Sequence, residues 1–141
     1  MTDTEEERSA LLKRTDAIEE AYEFMLAYAA QGRAGGDSGA NEIRDFLQAA
    51  DNALDGLAKE FDDDFTGRGT IARETYAPFL EVLEHDARRA RANVQLVLAQ
   101  PTISSQLIDS LNASIHLRAL LTDMFLIDEV MRPLVDDTPE T

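Results

Sequence analysis

The stretch NEIRDFLQAADNALDGLAKEF, Asn41 to Phe61, decides the fold. Large apolar residues recur at Ile43, Leu47, Leu54, Leu57 and Phe61, with the small Ala50 in step between them. Successive positions are separated alternately by four and three residues, a spacing that places all six on one face of an α-helix. Phe46 and Ala53 widen that face. Three aspartates follow, Asp62 to Asp64, and negative charge is unfavourable at a helix C-terminus. The helix is therefore expected to stop near Phe61, with Phe65 to Thr70 as a loop.

The same rhythm runs outward in both directions. On the N-terminal side it holds at Leu11, Thr15, Ile18, Tyr22, Met25 and Ala29. Thr4 to Glu7 reads as a capping box that starts this helix, and Gly32 as the left-handed residue that ends it. Gly32 to Gly39, GRAGGDSG, is a flexible loop; it lacks the lysine and the preceding strand that a phosphate-binding loop needs. On the C-terminal side the seam is Tyr76, Leu80, Leu83, Ala87, Ala90, Val94 and Val97, with Pro78 in the first turn or at a kink and Pro101 after the end. Ile103 can staple the next helix, and Ser104 or Ser105 can cap it.

The last helix carries two apolar stripes. Leu107, Leu111, Ile115, Leu121 and Phe125 make one; Leu117, Leu120, Met124, Ile127 and Met131 make the other. A helix that is apolar nearly all round is buried on more than one side. Helix one shows a second stripe as well, Ala17, Ala21, Phe24 and Tyr28. The expectation is a single all-α domain over residues 1–141, an up-down-up-down four-helix bundle with helices near 5–31, 41–61, 72–99 and 105–132. A second copy of the chain is expected to cover Leu117, Leu120, Met124, Ile127, Met131, Phe24 and Tyr28. The tail from Asp136 to Thr141 is expected to fray.

Composition narrows the function classes. The chain has 141 residues, no cysteine and a formal net charge of −15. Without cysteine there is no disulfide, thiolate metal site or cysteine nucleophile. The acidic field repels nucleic acid and anionic membranes and favours cations or a basic protein partner. MTDTEEERSA lacks the apolar core of a signal peptide, and no run of about 18 apolar residues suggests a membrane span. The chain is thus expected to be cytoplasmic, and the sequon at Asn112-Ala113-Ser114 to be accidental.

A di-iron site in such a bundle needs Glu-x-x-His on two helices. Val82 and Ala113 stand three residues before His85 and His116, so neither histidine completes it. Glu81 and His85, one turn apart, could share an ion, and Glu84 and Arg88 form an ordinary helical pair. Arg88, Arg89 and Arg91 make a small positive patch. Asp62 to Gly67 begins like a calcium loop, but Arg73 stands where its bidentate glutamate belongs. Met25, Met124 and Met131 read as core filler rather than haem ligands. No cofactor is therefore expected, and no catalytic residue. Arg118 and Glu129 stand on the same face as Leu111 and Phe125, where burial would require partners; Glu19 and Glu23 of helix one are the candidates.

The segments Leu11 to Arg33, LLKRTDAIEEAYEFMLAYAAQGR, and Val94 to Glu129, VQLVLAQPTISSQLIDSLNASIHLRALLTDMFLIDE, resemble small bacterioferritin-like helical proteins of autotrophic proteobacteria, some encoded beside carboxysome and RuBisCO genes. The resemblance implies a ferritin-like bundle in a carbon-fixing cell. It supplies no metal site, because the ligand motif is missing, and no functional residue carries over. The expected function is that of a non-catalytic, self-associating accessory protein. The alternatives are a divergent iron- or haem-binding protein using Glu19, Glu23 and Glu129, or a small-molecule sensor with a cavity among Arg118, Glu129 and Tyr22.

Overall fold

A computed structural model describes residues 3–36, 39–69 and 71–131, without the side chains of 3–9, 39, 40, 68 and 131. The side chains of the capping box, that of Met131, and the tail after it lie outside the described residues. Among the described residues every regular element is a helix: α1 (Asp3–Ala29), α2 (Gly39–Leu54), α3 (Leu57–Arg68), α4 (Arg73–Leu98), α5 (Ser105–Ala113) and α6 (His116–Met131). Two of the four expected helices are each broken in two.

The first break falls at Gly56, which is left-handed with φ 76°. Any other residue would be strained there. The last turn of α2 leaves carbonyls without helical partners. Arg14 of α1 donates to two of them, Ala53 O at 3.1 Å and Asp55 O at 2.5 Å. It also meets Glu60 of α3 at 3.5 Å. From the other side Arg91 of α4 pairs with Asp51 at 2.8 Å and Asp55 at 3.1 Å. A cation at a helix C-terminus is favourable, so the break is clamped from both neighbours.

Beyond Gly56 the chain does not stop at the aspartates. α3 continues through Asp62 to Asp64 and ends at Gly69, whose N–H bonds Phe65 O at 3.0 Å. Packing decides this. Phe65 is buried and meets the Tyr76 ring edge-on at 4.8 Å. Burying such a ring is worth roughly 1.5–3 kcal/mol, against about 0.3–1 kcal/mol for an unfavourable terminal charge. Arg73 and Lys59 lie against Asp62 and Asp63, at 2.9 and 3.1 Å. The seam expected from Ile43 to Phe61 is buried at every position, across the break.

α4 carries Pro78 inside the helix, in its second turn and not its first. At the far end of α4, Arg44 of α2 donates to Leu98 O and Gln100 O, closing that C-terminus. Ser104, not Ser105, caps α5, accepting from Leu107 N at 3.1 Å. Ser105 is buried instead and ties the start of α5 to the end of α1 and the loop after it, donating to Tyr28 O at 2.6 Å and accepting from Arg33 N at 2.8 Å. Tyr28 Oη in turn donates to Ile103 O. Gly35, at φ 103°, lies against the Ile103 backbone, where a Cβ would come within 2.9 Å of its carbonyl carbon.

The second break falls at Ser114–Ile115, inside what reads as one helix over 105–132. Ile115 has φ 61° and is 58% exposed, not part of a buried stripe. Ser114 Oγ donates to Leu111 O and accepts from Asn93 of α4, while Ala119 N–H bonds Ile115 O. This break changes the meaning of the two apolar stripes. Ile108 and Leu111 of α5 point into the core, and after the irregular residues so do Leu117, Leu120, Leu121, Met124 and Ile127 of α6. The buried members of the two stripes belong to one inner face, seen through a phase shift, while Ile115 and Phe125 of the first stripe face out.

That finding corrects the expected subunit interface. Leu117, Leu120, Met124 and Ile127 are buried within this chain, as is Tyr28. Phe24 is half-buried and stacks on Phe46 of α2, centroids 4.4 Å apart. None of the six needs a second copy to cover it.

α1 lies along α2, α3 and α5, and α4 lies along α2, α3 and α6. α1 and α6 touch only sparsely. Among the described residues no helix is long and apolar enough to cross a membrane.

Candidate functional site

The sparse contact between α1 and α6 leaves a groove. Along α1 the sequence places Leu11, Ile18 and Met25 inward, which turns Leu12, Asp16, Glu20 and Glu23 to solvent, with Thr15 and Glu19 half-buried at the edge. On α6 the same logic puts Met124 and Ile127 inward and Arg118, Thr122, Phe125 and Asp128 outward.

The groove has two parts. One, of about 200 Å³, lies among Leu11, Leu12, Thr15, Asp16, Glu19, Phe61, Asp64, Met124, Phe125, Ile127 and Asp128. The other, of about 340 Å³, lies among Glu19, Tyr22, Glu23, Arg118, Leu121, Thr122 and Phe125. Glu19 and Phe125 line both, so they form the sill between them. Phe125 is 56% exposed, an aromatic ring open to water in the middle of an acidic surface.

Among the described residues five carboxylates line the groove, Asp16, Glu19, Glu23, Asp64 and Asp128, against one cation, Arg118. The crowding is legible in Glu19. Partial burial pushes its carboxyl above the usual carboxylate range, and Asp16, Glu23 and Asp128 push it further the same way.

Three of the four charges singled out from sequence therefore meet: Glu19, Glu23 and Arg118 line one depression, with Tyr22 beside them. The reason given for them does not hold, because Arg118 is exposed rather than buried. The fourth, Glu129, is exposed on α6 and does not line the groove. Sequence reasoning missed Asp16, Asp128 and the role of Phe125. The acidic row was visible, since Asp16, Glu19 and Glu23 recur at three and four residues. Phe125 was misplaced because a continuous helix over 105–132 puts it in phase with Leu111.

A second depression, about 490 Å³, lies between α3 and α4 and includes Lys59, Asp62, Arg73, Glu81, Glu84, His85 and Arg88. Its charges pair among themselves, Arg73 with Asp62 and Arg88 with Glu84, both at 2.9 Å. Glu81 and His85 do share this depression, on the exposed side of α4. The carboxylates of Asp62 to Asp64 lie on a helix, about 100° apart around its axis, and do not converge as a calcium loop requires. Of the arginine patch, Arg88 pairs with Glu84 and Arg91 with Asp51 and Asp55. Met25 and Met124 are buried in the apolar core. Among the described residues no three His, Asp or Glu side chains stand close enough together to hold a metal ion.

Comparison of the chain with protein-family models, with curated proteins and with solved structures gives no match in any of the three.

Proposed function

We propose that this chain is a non-catalytic accessory protein that works by protein–protein contact, with the α1–α6 groove as its working face. In this reading the six helices act as four rods, up-down-up-down: α1, then α2 with α3, then α4, then α5 with α6. The support is that each rod packs on the next and the last returns to α1. The resemblance of Leu11–Arg33 and Val94–Glu129 to bacterioferritin-like proteins would associate the bundle with carbon-fixation machinery.

The observation that carries the reading is Phe125, more than half bare at the junction of two depressions. Exposed aromatic rings beside a recess are the side chains that anchor protein interfaces. A photo-cross-linking amino acid at position 125 tests it in cells. Protein adducts are expected from that position and not from Leu96, which is also exposed but stands on the outer face of α4. Equal labelling at both positions, or none at 125, would count against the reading.

Self-association through the same face is the second reading. Leu126 and Val130 extend the bare apolar surface along α6, at 57% and 52% exposure. Against it, two copies would bring Asp16, Glu23 and Asp128 toward one another. Like charges brought together at an interface oppose association. Sedimentation at low and high salt separates the readings: dimers appearing only when the repulsion is screened would favour self-pairing.

A further inference from the structure

We propose that the α1–α6 groove receives a basic amphipathic helix from a partner protein, its apolar side on Phe125 and its lysines or arginines among the carboxylates. This rests on the α1–α6 face being the working surface and adds the chemistry of what it binds.

Charge is the first argument. Among the described residues five carboxylates and one arginine line the groove, Asp64 buried in its floor and the other four at its edge, in a chain whose net charge is −15. Partial burial raises the Glu19 carboxyl above the usual range, and Asp16, Glu23 and Asp128 stand close enough to add to that effect by repulsion. A cation laid among them relieves that repulsion. A second copy of this chain brings more of the same sign.

Spacing is the second. No three of these carboxylates converge closely enough for a metal ion. Asp16, Glu19 and Glu23 instead stand one per turn along α1, across roughly 10 Å of helix axis at 1.5 Å per residue. Positive charges on one edge of a facing helix repeat at the same interval. A single small cation satisfies one position of such a row; a helix satisfies the row.

The apolar floor is the third. Phe125 and Leu12, at 56% and 50% exposure, stand within the acidic margin. A purely hydrophilic polycation leaves them in water. An amphipathic helix covers them with its apolar stripe while its charged edge meets the carboxylates, the helix-in-groove mode of recognition. The two depressions, about 200 and 340 Å³, have the size to seat side chains of such a helix as it lies across the α1–α6 surface.

The test uses the full chain and a fluorescein-labelled leucine/lysine peptide of about 14 residues, about four helical turns, read by anisotropy. Binding is expected for this peptide. A scrambled peptide of identical composition, which cannot form an apolar stripe, and a leucine/glutamate counterpart are expected to bind at least tenfold more weakly. Asp16→Asn with Asp128→Asn is expected to weaken binding roughly tenfold, and so is Phe125→Ala, the scale of losing an interface anchor. Glu42→Gln with Asp45→Asn makes the same change in net charge on exposed positions of α2 and is expected to change affinity less than about twofold. All these positions are solvent-exposed, and circular dichroism confirms the fold of each variant. Equal loss from the two double variants, equal binding of the scrambled peptide, or no binding would overturn the inference. If the peptide fails while position 125 still cross-links to protein, only the chemistry of the occupant is wrong; if both fail, the working face itself is wrong.

Discussion

Asp123 is half-buried on α6, with Asp86 of α4 near enough to influence it. Burial first, and the Asp86 carboxyl second, raise Asp123 from 3.8 to about 7. The two carboxyls titrate as a pair, so this value belongs to the pair as much as to one residue. The folded chain thus holds a proton that the unfolded chain releases near 3.8. The resulting stability is fully present below that pH and is lost as pH rises through about 7. Asp123→Asn, which cannot ionise, should flatten this part of the profile: its melting temperature relative to the native chain should rise from pH 4 toward pH 8. Parallel profiles would show that Asp123 is ionised throughout. Asp51 matters as a buried hydrogen-bond acceptor. It is 7% exposed, and it accepts from Arg91 and from Gln95 Nε2 at 3.2 Å. Asp51→Ala leaves both donors without their acceptor and should destabilise by about 1–3 kcal/mol in urea titration. Arg91 is partly open to water, which keeps the loss below that of a fully buried pair.

Elements were legible where a single phase runs through them. Every seam position expected for α4 is buried except Leu80, which is half-buried. The Ile43–Phe61 seam is buried throughout even though Gly56 interrupts it. The breaks themselves were not legible. Gly56 has a local signature, but its clamp comes from Arg14 and Arg91, distant in sequence. Ile115 carries no signature at all, because a β-branched residue is among the least suited to a positive φ. The missed break at Ile115 split the buried residues of one inner face between two stripes and, with the second stripe of α1, suggested a second subunit. Ile115→Gly tests the corrected reading. If residue 115 is left-handed and exposed, glycine removes backbone strain and should stabilise by on the order of 1 kcal/mol. If 105–132 is one continuous helix, glycine should destabilise by about that amount. Thermal melts of the two proteins decide the sign.

For the whole molecule, composition and rhythm were sufficient for an all-helical chain with an apolar core and an acidic surface. They were not sufficient to locate the groove proposed as the working face. That face depends on which pair of helices fails to close, and side-chain spacing within one helix says nothing about the distance to another. The groove exists because α6, rephased by the break before it, turns Met124 and Ile127 inward and leaves Phe125 out, opposite the acidic edge of α1. Arg118, Glu19 and Glu23 were found for a reason that did not survive, since they meet at the surface and not within the core.

The most direct test of the account is a nitrogen-15 NMR titration of the intact chain with the leucine/lysine amphipathic peptide. Amide shifts are expected only in α1 between Leu12 and Glu23 and in α6 between Arg118 and Asp128, with Phe125 among the largest. Shifts spread evenly over the acidic surface, or centred on the α3–α4 depression around His85, would contradict the account.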